Sequence, residues 1–333
     1  MEYQKLGEIV TIKYGKDHKG LSNGNIPVYG TGGLMRKVDK YLYDKPSVLI
    51  PRKGSLNNVM FVSEKFWTVD TMFWTIVNTK IINPKYLYYY LSRLNLNKLN
   101  VGSAVPSLTV KILNEIVIPV PKLTIQDNIV KKISVFDRKI NLNNQINDNL
   151  SKFRELLYMR LIQSSDVKEV KLTELFNIAY GKNIAKSELT KSGTKVFGAN
   201  GLIGYTQKPS IISAPTVTIT SRGSGSGYVS YLNIGNAFLT NNLLYLNENK
   251  NLGLSFSYET IKSANPKQFV TGSAQPQLTI KNLSQSLVKI PSDINLVNKF
   301  RRQMYPIEEI IKHNSFENEK LEMLKNTLLN KCF

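Results

Sequence analysis

The stretch GSAVPSLTVKIL, Gly102 to Leu113, recurs as GSAQPQLTIKNL, Gly272 to Leu283. Each copy leads into a short apolar segment containing proline (IVIPV, Ile116 to Val120; LVKIP, Leu287 to Pro291) and then into a long run with heptad spacing. The copies stand 170 positions apart, far longer than a solenoid repeat, so the repeating unit is a whole domain plus one helix. The chain reads as two similar halves in tandem.

Moving outward, the matches continue in order. KLGEIVTIKYGK (Lys5 to Lys16) pairs with KLTELFNIAYGK (Lys171 to Lys182), a pattern that predicts a helical turn feeding a strand that ends at a glycine turn. IPVYGTGGL (Ile26 to Leu34) pairs with TKVFGANGL (Thr194 to Leu202), a strand entering a Gly-rich loop. SVLIPRKGS (Ser47 to Ser55) pairs with TVTITSRGS (Thr216 to Ser224). Strand patterning resumes after both, which predicts a hairpin with cationic tips: Arg52 and Lys53 in one copy, Arg222 in the other. Asn83 and Pro84 suit the cap and first position of the helix KYLYYYLSRL, whose tyrosines at helical spacing read as core.

The heptad runs carry the strongest periodicity. In the first, Ile129, Ile133, Phe136, Ile140, Asn143, Asn147, Leu150, Arg154, Leu157 and Leu161 alternate steps of four and three. Phe300, Met304, Ile307, Ile311, Asn314, Asn318, Leu321, Lys325, Leu328 and Cys332 repeat those steps 171 positions later. Heptads held in phase predict a coiled coil. Helices of such length would form a rod of roughly 60 Å at ~1.5 Å per residue. An antiparallel return is the economical topology, and it implies a pseudo-twofold axis. Pairing the asparagines to avoid lone polar burial sets the register: Asn143 opposite Asn318, Asn147 opposite Asn314, Ile133 opposite Leu328. The expected fold class is α+β. Two homologous domains, 1–121 and 166–292, are separated by two long antiparallel coiled-coil helices, 122–165 and 293–333.

The 333 residues carry 44 Lys and Arg against 24 Asp and Glu, a formal net charge of +20. Of these, 24 basic and 13 acidic residues lie at or before Asp166, so both halves share the excess. Evenly spread positive charge on a folded chain points to a polyanion, most often nucleic acid. A single cysteine, Cys332, allows no intrachain disulfide, and the N-terminus shows neither a signal peptide nor a membrane span. The expected location is the cytoplasm, with no membrane partner.

Catalytic patterns are weak. His18 and His313 lie in different elements and make no metal cluster with one cysteine. Gly223-Ser224-Gly225-Ser226-Gly227 lacks the lysine of a phosphate-cradling loop and reads as a flexible hairpin. Asn83-Pro84-Lys85-Tyr86 resembles the NPPY tetrapeptide of amino-methyltransferases, but its third residue is lysine and the second half has no counterpart. The reading is binding without catalysis, with no cofactor in this chain.

The candidate DNA contacts lie on the matched loops. In the first half they are Lys16, Tyr29, Arg36, Arg52, Lys53, Ser55, Ser103, Ser107 and Lys111. In the second they are Lys182, Asn200, Ser221, Arg222, Ser224, Ser273, Gln275, Gln277 and Lys281. Gly-Ser amides and lysines suit phosphates, while arginine and amide tips suit base edges. Pro51-Arg52-Lys53 against Thr220-Ser221-Arg222, and Val105-Pro106-Ser107 against Gln275-Pro276-Gln277, differ between copies and are the expected places where sequence is read.

The duplicated succession of GSAxPxLT, strand, proline and long helix resembles the specificity subunit of type I restriction-modification systems over essentially the full length. That resemblance implies two target-recognition domains separated by spacer helices, and a subunit that is not itself catalytic. It implies double-stranded DNA as ligand, one half of a bipartite site per domain. Two modification subunits are the implied partners, using S-adenosylmethionine to methylate adenine at N6, and restriction subunits are a further one. The recognition domains are short for the family, which leaves open a modification-only system. Rival readings are a stand-alone DNA-binding regulator and an adenine-N6 methyltransferase in its own right. Val135, Leu142, Ile146, Phe153 and Leu156, off the heptad seam, would form a protein-docking face.

Overall fold

Each repeated segment adopts the local structure its pattern calls for. Leu6–Ile9 is a helical turn and Val10–Tyr14 the strand it feeds; Leu172–Leu175 and Phe176–Tyr180 repeat the pair. The computed structural model describes residues 2–102 and 104–333. It divides into two units, Met1–Asn141 with Glu319–Phe333, and Leu142–Asn318.

In the first unit, strands Val10–Tyr14, Met72–Val77, Ser47–Pro51 and Met60–Val62 form an antiparallel sheet in that order. A second sheet orders Gly33–Val38, Asn23–Gly30 and Trp67–Thr68, the last two parallel. Tyr3–Lys5 pairs with Val117–Pro119, so the domain's first strand lies against the strand that leads into the long helix. The second unit repeats this plan. Its sheets order Phe176–Tyr180, Leu243–Glu248, Thr216–Thr220 and Val229–Leu232; then Gly201–Thr206, Thr194–Gly198 and Ala237–Leu239; then Val167–Lys171 with Leu287–Pro291. Mixed sheets with segregated helices make each unit α+β, as the alternation of patterns predicts.

The strands SVLIP and TVTIT are buried at every position. An interior strand covered on both faces needs continuous apolar or β-branched residues and not an alternating pattern. Helix Pro84–Arg93 closes the first core. Asn83 Oδ1 accepts from the amides of Lys85 and Tyr86, and Pro84 occupies the first turn, where its missing donor costs nothing. Tyr86 and Tyr89 are core side chains. The Tyr86 hydroxyl donates to the Pro119 carbonyl at 2.9 Å, and burial pushes its pKa up to about 12.

The long helices run Leu123–Ser164 and Ile294–Cys332. All the heptad positions named above are buried or half-buried, while Val135, Leu142, Ile146, Phe153 and Leu156 are exposed. The asparagine register is as expected. In the second unit Asn143 Nδ2 donates to Asn318 Oδ1 at 2.9 Å, and Asn314 Nδ2 to Asn147 Oδ1 at 2.9 Å. Ascending numbers on one helix meet descending numbers on the other, so the helices are antiparallel. The first unit agrees: Lys325 Nζ is 3.3 Å from Asp137, and Ile133 clusters with Leu328 and Leu329.

One basic seam residue does something the heptad count does not convey. Arg154 turns away from the partner helix toward the domain, where its Nε donates to Glu259 Oε1 at 2.7 Å on helix Leu254–Ser263. Its guanidinium lies 4.5 Å from the ring centres of both Tyr231 and Tyr258. Among the described residues, no helix is long and apolar enough to cross a membrane.

Candidate nucleic-acid interface

The candidate loops, separate in sequence, are knotted together in each unit by main-chain hydrogen bonds. The knot is a short segment after the second sheet: Thr68 to Met72 in the first unit, Leu239 to Leu243 in the second. The Lys16 amide donates to the Thr68 carbonyl (2.9 Å), the Val69 amide to Tyr29 (3.1 Å) and the Arg52 amide to Thr71 (2.8 Å). The second unit repeats them: Lys182 to Leu239 (2.9 Å), Thr240 to Phe197 (2.9 Å) and Ser221 to Asn242 (2.8 Å). Buried amides and carbonyls must find partners, and here those partners fix three loops in one frame.

The cationic hairpin is then stitched to the GSAxPxLT loop. The Gly54 amide donates to Pro106 and the Leu108 amide to Arg52; Gly223 to Pro276 and Leu278 to Ser221 are the equivalents, all 2.8 to 2.9 Å. Gly54 and Gly223 hold φ of +85° and +87°, the left-handed region that a side chain resists. Gly15 and Gly181 are required by close approach: a Cβ there would sit 2.0 Å from the Val69 carbonyl oxygen and 2.3 Å from that of Thr240. In the first unit Asn58 Nδ2 also donates to the Thr31 carbonyl at 2.6 Å, tying in the Gly-rich turn. Threonine ends the repeated stretch for a capping reason. Thr109 and Thr279 accept from the amides of Ile112 and Asn282 and start short helices.

This frame gathers Lys16, Tyr29, Arg52, Lys53, Ser55 and Ser107 in the first unit, and Lys182, Arg222, Ser224, Gln275 and Gln277 in the second. Lys16, Lys53, Ser55, Lys182, Arg222, Ser224 and Gln275 are exposed. Lys53 is bridged to Ser107, and Arg222 to Gln277. Asn200 is exposed at the turn before Gly201, and Lys111 and Lys281 are exposed on the helical turns that the threonines cap. Ser273 is exposed, and Ser103 lies outside the described residues.

Ser221 and the Gly223–Gly227 run depart from expectation. Ser221 is completely buried, with Oγ donating to the Asn241 carbonyl at 3.3 Å, so it braces the loop and presents nothing to a ligand. Arg36 is half-buried, with its Nη2 donating to the Leu21 carbonyl at 2.7 Å. The Gly223–Gly227 run, expected to be flexible, is anchored: Ser226 is buried and donates to Pro276 at 2.9 Å, and the Gly227 amide donates to Thr220 at 2.8 Å. Sequence reading missed the knot itself. Asp70, Thr71, Asn241 and Asn242 carry no glycine or cation to mark them, although their matched positions in the repeat were available.

The tetrapeptide at Asn83 is a helix cap in full. Besides capping, Asn83 Nδ2 donates to Asp127 at 2.8 Å, and Tyr86 has no exposed surface to stack on a base. Among the described residues no group of three His, Cys, Asp or Glu could hold a metal ion.

Comparison with known proteins agrees with this geometry. The family model for the type I restriction modification DNA specificity domain matches residues 1–152 and again 164–295. A Haemophilus influenzae chain provisionally named a type I restriction enzyme specificity subunit is 25% identical over 301 residues, covering 81% of this chain and 77% of that one. The MjaVIII specificity subunit of Methanocaldococcus jannaschii is 27% identical over 173 residues, 46% of this chain and 41% of its own. The crystal structure of the type I restriction-modification S subunit from M. genitalium shares the fold, with a TM-score of 0.59 at 19% identity over 100% of this chain and 96% of that one. Two domain matches that fall on the two halves of the repeat, each with its own knotted loop frame, establish that this chain belongs to the type I restriction-modification DNA specificity family.

Proposed function

We propose that the chain is the non-catalytic DNA-recognition subunit of a type I complex, each unit reading one half of a bipartite site. The observation that carries this is the repeated frame. Identical main-chain bonds hold cationic, hydroxyl and amide side chains on matched loops, while several of those side chains differ between copies, as Lys53 against Arg222 and Ser107 against Gln277. A shared frame with different displays suits two grips of one kind on two different half-sequences. The exposed lysines supply the phosphate term, and the formal charge of +20 favours a polyanion at long range.

Methyl transfer in this reading belongs to partner subunits using S-adenosylmethionine. The exposed apolar side chains off the helical seam support protein docking. In the second unit these include Leu142, Ile146, Phe153 and Leu156, at 51%, 36%, 48% and 63% exposure; monomeric surfaces rarely line up such residues without a partner. Restriction subunits would join the same assembly.

Long-read mapping of methylated adenine, in cells with and without the gene, tests the proposal. A split methylated motif that appears only with the gene is expected; an unchanged methylome would refute the reading. With purified protein, Lys53→Ala should weaken duplex binding uniformly across sequences and lower the salt slope by about one.

A further inference from the structure

The matched frames differ at one coupled pair of positions. In the first unit they hold Arg52 and Asp70; in the second, by the same register, Ser221 and Asn241. The coupling is physical. Arg52 Nε donates to the Asp70 carbonyl at 2.7 Å, and Ser221 Oγ donates to the equivalent Asn241 carbonyl at 3.3 Å. One brace is thus made by two different side chains, and only the longer one reaches past it.

Arg52 is held on three sides. Its Nε is taken by the carbonyl, its Nη2 lies 3.7 Å from the Asp70 carboxylate, and its guanidinium stands 5.9 Å from the Tyr14 ring centre. The side chain keeps 25% of its surface, and that of Asp70 keeps 68%. A braced planar fork has lost most of its rotamer freedom before any ligand arrives, so little remains to be lost on binding. A lone lysine would serve a phosphate equally well, and an exposed carboxylate beside it would be repelled by one. An acid kept beside an arginine on a cationic face therefore suits base edges and not the backbone.

The pattern is specific. Two guanidinium donors followed by a carboxylate acceptor complement the major-groove edge of a G·C pair. That edge shows N7 and O6 of guanine as acceptors and N4 of cytosine as donor. In the second unit nothing projects from buried Ser221, and half-exposed Asn241 offers an amide, the group that suits N6 and N7 of adenine. We propose that the Arg52–Asp70 pair reads a G·C base pair in one half-site, and that Asn241 reads an A·T pair at the matched place in the other.

This rests on the recognition function proposed above and adds the identity of one base pair per half. The test transplants each pair into the other frame, as R52S with D70N and as S221R with N241D, in the full chain expressed with its modification partners. The methylated motif is read by long-read sequencing, and the purified full chain is used to select from a randomised duplex library. R52S/D70N should lower the preference for one G·C position in one half by about tenfold or more and shift it toward A·T, leaving the other half unchanged. S221R/N241D should convert an A·T position in the other half toward G·C. Tryptophan emission checks the fold of the first variant, since Trp67 and Trp74 both lie in the first unit. Should the transplant perturb folding, D70N alone, which keeps the carbonyl brace, should still relax that same position. A motif that depends on the gene but is identical in wild type and all variants overturns this inference and leaves the recognition function standing. A wild-type chain that selects no split sequence overturns both.

Discussion

Arg154 offers a stability prediction that can be worked from geometry. The side chains of Arg154 and Glu259 are 6% and 3% exposed, and the pair is closed by a 2.7 Å hydrogen bond. Replacing Arg154 by methionine keeps most of the volume but strands the carboxylate. Removing one partner of a buried pair costs about 3–5 kcal/mol, and loss of the contacts to Tyr231 and Tyr258 adds roughly 1–2 kcal/mol. Part of this is recovered in acid. Burial already raises the Glu259 pKa, with Arg154 opposing that rise, so removing the arginine raises it further. A carboxyl whose pKa is higher folded than unfolded binds more protons in the native state, so stability falls as pH climbs through that window. The variant's deficit should therefore shrink as pH drops toward the ordinary carboxyl range. Urea unfolding followed by far-UV circular dichroism measures the whole chain. Tryptophan fluorescence reports the first unit alone and serves as the internal control, because the second contains no tryptophan. Adding Glu259→Leu to the variant should restore much of the loss, since an apolar pair of similar volume tolerates burial better than a lone charge. A loss below about 1 kcal/mol, or a double variant no more stable than the single one, would refute the argument.

Gly15→Ala should cost at least about tenfold in DNA affinity in a gel-shift titration, about 1.4 kcal/mol. The added Cβ pushes on the Val69 carbonyl at the knot while leaving the helices untouched. Asn83→Ala should lower stability by about 1 kcal/mol, as for other helix caps. It should leave adenine methylation by the assembled complex unchanged; a collapse of methylation with the protein still folded would revive the tetrapeptide as a catalytic loop.

The duplication made much of this fold legible. Internal repeats act as an alignment of one sequence with itself, so register errors in one half are corrected by the other. The helical seam was readable down to Asn143 opposite Asn318, because burying one asparagine alone is costly and burying two together is not. Arg154 stands on that seam, but its charge goes to Glu259 in the domain, since a heptad count says which side is covered and nothing of what covers it. The frame of the interface was harder. Its bonds run between amides and carbonyls that every residue carries, so Thr71 or Asn242 leaves no compositional mark. Ser221 reads as a loop-tip hydroxyl because it opens the turn Arg222-Gly223-Ser224, which is exposed. Its burial follows from the turn that folds it back on Asn241, a tertiary fact.

Because the loops are cross-tied through backbone atoms, what the surface says is separable from how it is held. A substitution at Gln275 or Arg222 changes the inscription without loosening the mount, whereas one at Gly15 or Gly54 cracks the mount whatever is written on it. If the loops read DNA as proposed, selection can rewrite the target in small steps, each leaving a folded protein. That freedom comes from main-chain stitching, which asks for glycine in a few places and for almost nothing elsewhere.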